Sequence, residues 1–213
     1  MKKIALFLAL VLVFSRTYSQ NEKYTKAMED AIAKATYATP TPELQRTAGQ
    51  FERIANAETA EWLPAYWASY TYMLLSFKET DTGKKDALLD KADEFYKKIA
   101  TRQADNDELM VLAAALASAR LAVDGENRWQ EYGPIFQANL DKAKQKNAGN
   151  PRIYLLEGQS LYYTPEQFGG GKTVACPVLK KAAEKFTTFK PASTIHPGWG
   201  LDMNQQLLSQ CGQ

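Results

Sequence analysis

Histidine occurs once in this 213-residue chain and cysteine twice. One histidine, His196, excludes a metal site built from several imidazoles, and two cysteines exclude a Cys-rich zinc site. His196 sits in the turn-rich "IHPGWG" and reads as a local turn residue. No G-x-S-x-G elbow accompanies it, so a Ser-His-Asp triad has no starting point. Runs of alternating β-branched residues are also missing, which argues against strands. Charge of one sign is missing as well. Beyond residue 19 the balance is 23 basic against 24 acidic residues. A chain so close to neutral has no global field for nucleic acid or anionic lipid. Lysine pairs such as Lys84-Lys85 and Lys180-Lys181 read as solvated helix faces.

Long apolar runs are absent except at the start. Lys2 and Lys3 precede the uncharged stretch Ile4–Phe14, and Thr17 and Ser19 occupy the −3 and −1 positions before Gln20. This is the pattern of a secretory signal peptide over residues 1–19, cleaved near Ser19–Gln20. The run is too short to span a bilayer, and no cysteine follows for a lipid anchor. The sequence thus predicts a periplasmic or secreted protein with no membrane span after cleavage. Residues 20–213 suffice for one domain with a real core. In an oxidising compartment Cys176 and Cys211 can form a disulfide closing a 35-residue loop. Two free buried thiols are the alternative.

What is present is helix-forming sequence almost throughout, rich in Ala, Leu, Lys, Glu and Gln. Breakers divide it into segments at about Glu22–Tyr37, Pro42–Asn56, Glu61–Lys78, Lys84–Arg102, Asp107–Val123, Arg128–Asn147, Pro151–Tyr163 and Lys172–Phe189. A short last helix covers Leu201–Ser209. Small residues recur with a long period. Ser69, Ala114 and Gly158 lie 45 and 44 apart, and Ala92, Ala138 and Ala182 lie 46 and 44 apart. One repeat of about 45 residues accounts for both series. The predicted fold class is therefore all-α, with about four antiparallel helix pairs at 22–56, 61–102, 107–147 and 151–189, and a tail at 190–213.

The pairs resemble the tetratricopeptide repeat (TPR) family. Tyr154, Gly158 and Leu161 fit the large–small–large pattern of its first helix. Ala182, Phe186 and Pro191 fit the second, and Ala92 with Tyr96 repeat the Ala-x3-aromatic step. The chain departs from the family in its period, usually 34 residues, in Glu157 where Leu is expected, and in Lys142 where the second helix wants an aromatic. The resemblance implies a short solenoid whose first helices line a concave groove. Trp67, Tyr70, Tyr154, Tyr162 and Phe168 are then the candidate groove residues, with Phe168 plugging the space between the last paired helices. A stripe of Trp62, Tyr66, Tyr70 and Phe77, spaced 4, 4 and 7, marks one face of the third segment.

"GGGKT" at Gly169–Thr173 has the ending of a phosphate-binding loop. The first glycine of that motif falls on Glu166, and the preceding segment is helical rather than a strand. The glycines read instead as a tight reversal. No cofactor, metal or catalytic residue is expected. The resulting expectation is an exported, non-catalytic scaffold for a protein or peptide partner. The alternative is a soluble small-molecule-binding component of an envelope transport system, and a hydrolase ranks last.

Overall fold

The computed structural model describes residues 22–212. The expected leader lies outside them. Within them the chain is all-α, without strands. Residues 22–32 form α1. The helices that follow are α2 (Thr41–Ala57), α3 (Leu63–Lys78), α4 (Thr82–Ala100), α5 (Asp107–Val123), α6 (Gly125–Lys146), α7 (Pro151–Tyr163), α8 (Lys172–Thr188) and α9 (Leu201–Ser209). No helix among the described residues is long and apolar enough to cross a membrane.

Side-chain caps set several of the starts. Asp81 Oδ1 accepts the Lys84 amide at 2.8 Å, Asn106 Oδ1 that of Glu108 at 2.9 Å, and Asn150 Oδ1 that of Arg152 at 3.1 Å. Each satisfies an N–H that the first helical turn leaves without a partner. Three boundaries differ from expectation. The first segment leaves α-helix after residue 32, because Thr36 and Thr39 bond each other and turn the chain before Pro40. The second segment begins at Thr41 rather than Pro42, with Pro40 in the N-cap position. The "DGEN" stretch opens α6 instead of breaking it, since Asp124 accepts the Asn127 amide at 3.3 Å and makes a cap.

Neighbours in sequence pair as antiparallel hairpins: α3 with α4, α5 with α6, and α7 with α8, while α2 packs on α3. The first helices also touch in order, α3 on α5 and α5 on α7. This explains their composition. A helix covered on all sides needs apolar or small residues all round, as "LMVLAAALASARLAV" in α5 provides. The outer helices α4, α6 and α8 bury only one stripe each. Gly158 lets α7 and α8 meet closely: a Cβ there would lie 2.7 Å from Leu179 Cδ2.

The segment 189–200, between α8 and α9, is non-helical, turns at residues 192–196 and packs on α3. Trp67 Nε1 donates to the Ile195 carbonyl at 2.8 Å, and Trp199 Nε1 donates to the Tyr66 hydroxyl at 2.9 Å. Trp199 stacks on Tyr70 with ring centroids 4.9 Å apart. α9 then returns onto α8, where Asn204 Nδ2 donates to the Leu179 carbonyl. The expected disulfide is present, joining Cys176 of α8 to Cys211 just beyond α9.

Candidate functional site

A cleft of about 520 Å³ opens where four stretches meet. Trp62 comes from the start of α3, Arg102 to Glu108 from the α4–α5 connection, Asn147 from the end of α6, and Phe189 to Pro197 from the connector. Its acidic groups already have partners. Asp105 pairs with Lys146. Asp107 accepts from the Asn147 and Asn150 side-chain amides, each at 2.9 Å. Glu108 accepts from Asn150 and makes a two-pronged contact with the fully buried Arg152. Burial pushes the Glu108 carboxyl up from its ordinary range, and Arg152 opposes that only in part.

The cations on the cleft wall are differently placed. Arg102 donates to the Thr59 and Lys98 carbonyls and pairs with no carboxylate, and Lys190 makes no ion pair among the described residues. The walls also carry aromatic rings. Trp62 meets His196 edge-on at 5.6 Å, and the Arg152 guanidinium lies over the Phe189 ring at 4.6 Å. The cleft wall therefore combines aromatic rings, hydrogen-bond donors and the cations Arg102 and Lys190 with three acidic groups that are already paired.

His196 Nδ1 lies 2.7 Å from Ser193 Oγ. This is not a hydrolytic dyad. The two residues are three apart in one turn, where Ser193 Oγ also accepts the Ile195 amide, and no carboxylate is bonded to the other ring nitrogen to orient it as a base. Partial burial lowers the imidazole's pKa from its ordinary 6.5, which favours the neutral ring. Among the described residues no cluster of three or more histidine, cysteine or acidic groups could hold a metal ion.

The five candidate groove residues are scattered. Trp67 and Tyr70 are buried under the connector, 2 % and 4 % exposed. Tyr154 is 3 % exposed and faces Lys144, Lys181 and Lys185, whose ammonium groups lie 4.7–5.4 Å from its ring. Tyr162 bonds Gln210 near the disulfide. Phe168 plugs nothing: it is 73 % exposed, because the short helical turn Glu166–Phe168 and left-handed Gly169 and Gly171 swing it outward. Cleft residues Arg102, Phe189 and Lys190 escaped sequence reasoning, since they lie on two connections far apart in the chain. The one usable trace was the Trp62–Tyr66–Tyr70 stripe, which is the surface the connector docks on.

Comparison with solved structures gives a decisive likeness. The HusA haemophore from Porphyromonas gingivalis is 34% identical, with a TM-score of 0.76. The match covers 88% of this chain and 92% of that one. This chain belongs to the HusA family. Family models and curated protein sequences give no match.

Proposed function

We propose that this chain is a non-catalytic binding protein of the cell envelope whose cargo is a haem-like tetrapyrrole. The observation that carries this reading is the 34% identity to a haemophore over 88% of the chain. It favours the small-molecule alternative over a scaffold for protein partners. The cleft supports it. Its volume lies within the usual span of ligand pockets, about 300–1,000 Å³. Trp62 and Phe189 offer faces for a conjugated ring, and Arg102 and Lys190 offer charge for its carboxylates. The apolar leader of residues 1–19 fits export of such a carrier. In this reading residues 20–213 are one domain, and the hairpins are a TPR-like solenoid whose concave side is closed by the chain's own connector.

The test is a titration of the mature chain with hemin and, separately, with metal-free protoporphyrin IX. Soret absorbance and quenching of tryptophan fluorescence are followed together. We expect saturable one-to-one binding of hemin with a Kd of about micromolar or tighter. If neither tetrapyrrole gives a saturable signal, while a protein from envelope extract binds stoichiometrically, the scaffold reading replaces this one.

A further inference from the structure

We propose that Lys144, Lys181 and Lys185 form a binding site for a phosphate group, on the side of α7 away from the cleft. Residues two apart on a helix point to nearly opposite sides. Arg152 of α7 faces the cleft side, where it meets Glu108 and Phe189. Tyr154 faces the other way, toward α6 and α8. Its ring is buried, and its hydroxyl donates to the Ala148 carbonyl at 3.2 Å. Three ammonium groups stand against that one ring. Lys181 and Lys185 come from α8, with Nζ 4.7 and 5.1 Å from the ring centroid, and Lys144 comes from α6 at 5.4 Å. All lie within the reach of a cation–π contact, about 6 Å.

Lysines of an ordinary solvated face point apart or pair with carboxylates. Here they converge, and little charge opposes them. Lys144 has Glu157 at 3.9 Å, the outer limit of an ion pair. Lys181 and Lys185 pair with no carboxylate among the described residues, and Glu184, three residues beyond Lys181, pairs with none of the three. The ring attracts each ammonium but neutralises none. Like charges gathered in this way repel, and an anion between them removes the repulsion. Each ammonium carries three N–H donors, so donors remain after the ring contact. Phosphate answers this set better than carboxylate does. Its tetrahedral oxygens meet donors arriving from different directions, and as a monoester it carries about −1.5 to −2 charges at pH 7. Lysine binds it as a point charge, whereas a planar carboxylate favours the fork of arginine. Lys185 is half-buried, while Lys144 and Lys181 are exposed. The site is therefore open to solvent, and a lipid headgroup and free phosphate present it with the same chemistry.

The experiment follows thermal unfolding of the full mature chain in about 10 mM phosphate, against chloride and succinate at equal ionic strength, together with calorimetric titration of inorganic phosphate. Flotation with phosphatidylcholine vesicles, with and without phosphatidic acid, separates the two sources, since phosphatidic acid carries a phosphomonoester. The double variant Lys181→Gln/Lys185→Gln and the single variant Lys144→Gln are compared with Lys84→Gln/Lys85→Gln on α4, outside the site. We expect a phosphate Kd of about 1 mM and a midpoint about 3–5 °C above that in chloride. The α8 double variant should lose at least about tenfold in affinity and most of the rise, Lys144→Gln somewhat less, and the α4 variant neither. If the double variant loses its helical circular dichroism, Lys144→Gln decides alone. A phosphate response assigns free phosphate. Vesicle binding that needs both phosphatidic acid and the α8 lysines, without a phosphate response, assigns a lipid headgroup; either supports the site. Equal midpoints in phosphate and chloride, with equal vesicle binding by wild type and variants, would overturn it. So would a phosphate response that survives in the lysine variants, or an equal response to succinate.

Discussion

Arg120 of α5 shows how one residue can hold three acidic neighbours in place. Its guanidinium donates to Asp86 at 3.0 Å, Asp90 at 2.6 Å and Asp93 at 2.7 Å, all on one face of α4. Arg128 adds two bonds to Asp86, both at 2.7 Å. Without Arg120, three carboxylates at i, i+4 and i+7 would repel one another. Arg128 first, and then Arg120, hold the Asp86 carboxyl below its ordinary 3.8. A depressed carboxylate stabilises the fold above its ordinary pKa and loses that contribution as pH falls through the folded value. Arg120→Met should therefore cost about 1–3 kcal/mol at pH 7. The deficit should begin to narrow as pH falls below 3.8 and close only once pH has passed the lower folded value of Asp86. Urea unfolding at pH 7 and pH 3 checks this; a cost that does not vary with pH would assign the loss to packing alone. These pairings were not legible in the sequence. Asp86, Asp90 and Asp93 look like a solvated face until α5 is laid against them.

At the scale of elements, the connector 189–200 is the piece that alters the reading of the fold. Helix positions came from breakers and caps that act within a few residues, and the structure reproduces most of them. The connector has no helical period, so its role depends on where the chain returns. It returns to α3, and Trp199 is its anchor: one ring stack on Tyr70, one hydrogen bond to Tyr66 and a cation–π contact with Arg152 at 5.5 Å. Trp199→Ala should destabilise the chain by about 2–4 kcal/mol, part of the cost of truncating a large aromatic. It should also open residues 190–200 to protease before the helices are cut. Protease resistance equal to wild type, with a loss under about 1 kcal/mol, would show that the connector holds without its anchor.

At the scale of the whole molecule, the ends of the fold are held differently. α2 packs on α3, which covers one end. At the other end α9 is short and packs on α8, and the Cys176–Cys211 bond ties it there. A crosslink spanning 35 residues contributes about 3–4 kcal/mol by the chain-entropy model. Replacing both cysteines with serine should lower stability by that order in a denaturant titration. The cleft lies away from the bond, at the starts of α3 and α5, so hemin affinity should be retained. A variant that is as stable as wild type would mean that α9 is held by packing alone.

The sequence by itself determined the all-α class, most helix positions and the disulfide partners. Each rests on local propensity, on capping, or on the small number of available cysteines. It also excluded a phosphate loop, because the missing glycine is a matter of spacing. Only the tertiary structure decided which aromatics are reachable. Trp67, Tyr70 and Tyr154 look alike on an unrolled helix, yet all are covered, the first two by a connector about 130 residues further along. The cleft has the same origin. Trp62, Arg102, Glu108, Phe189 and His196 come from distant parts of the chain, and only chain return brings their side chains together. No periodicity within one segment encodes that meeting.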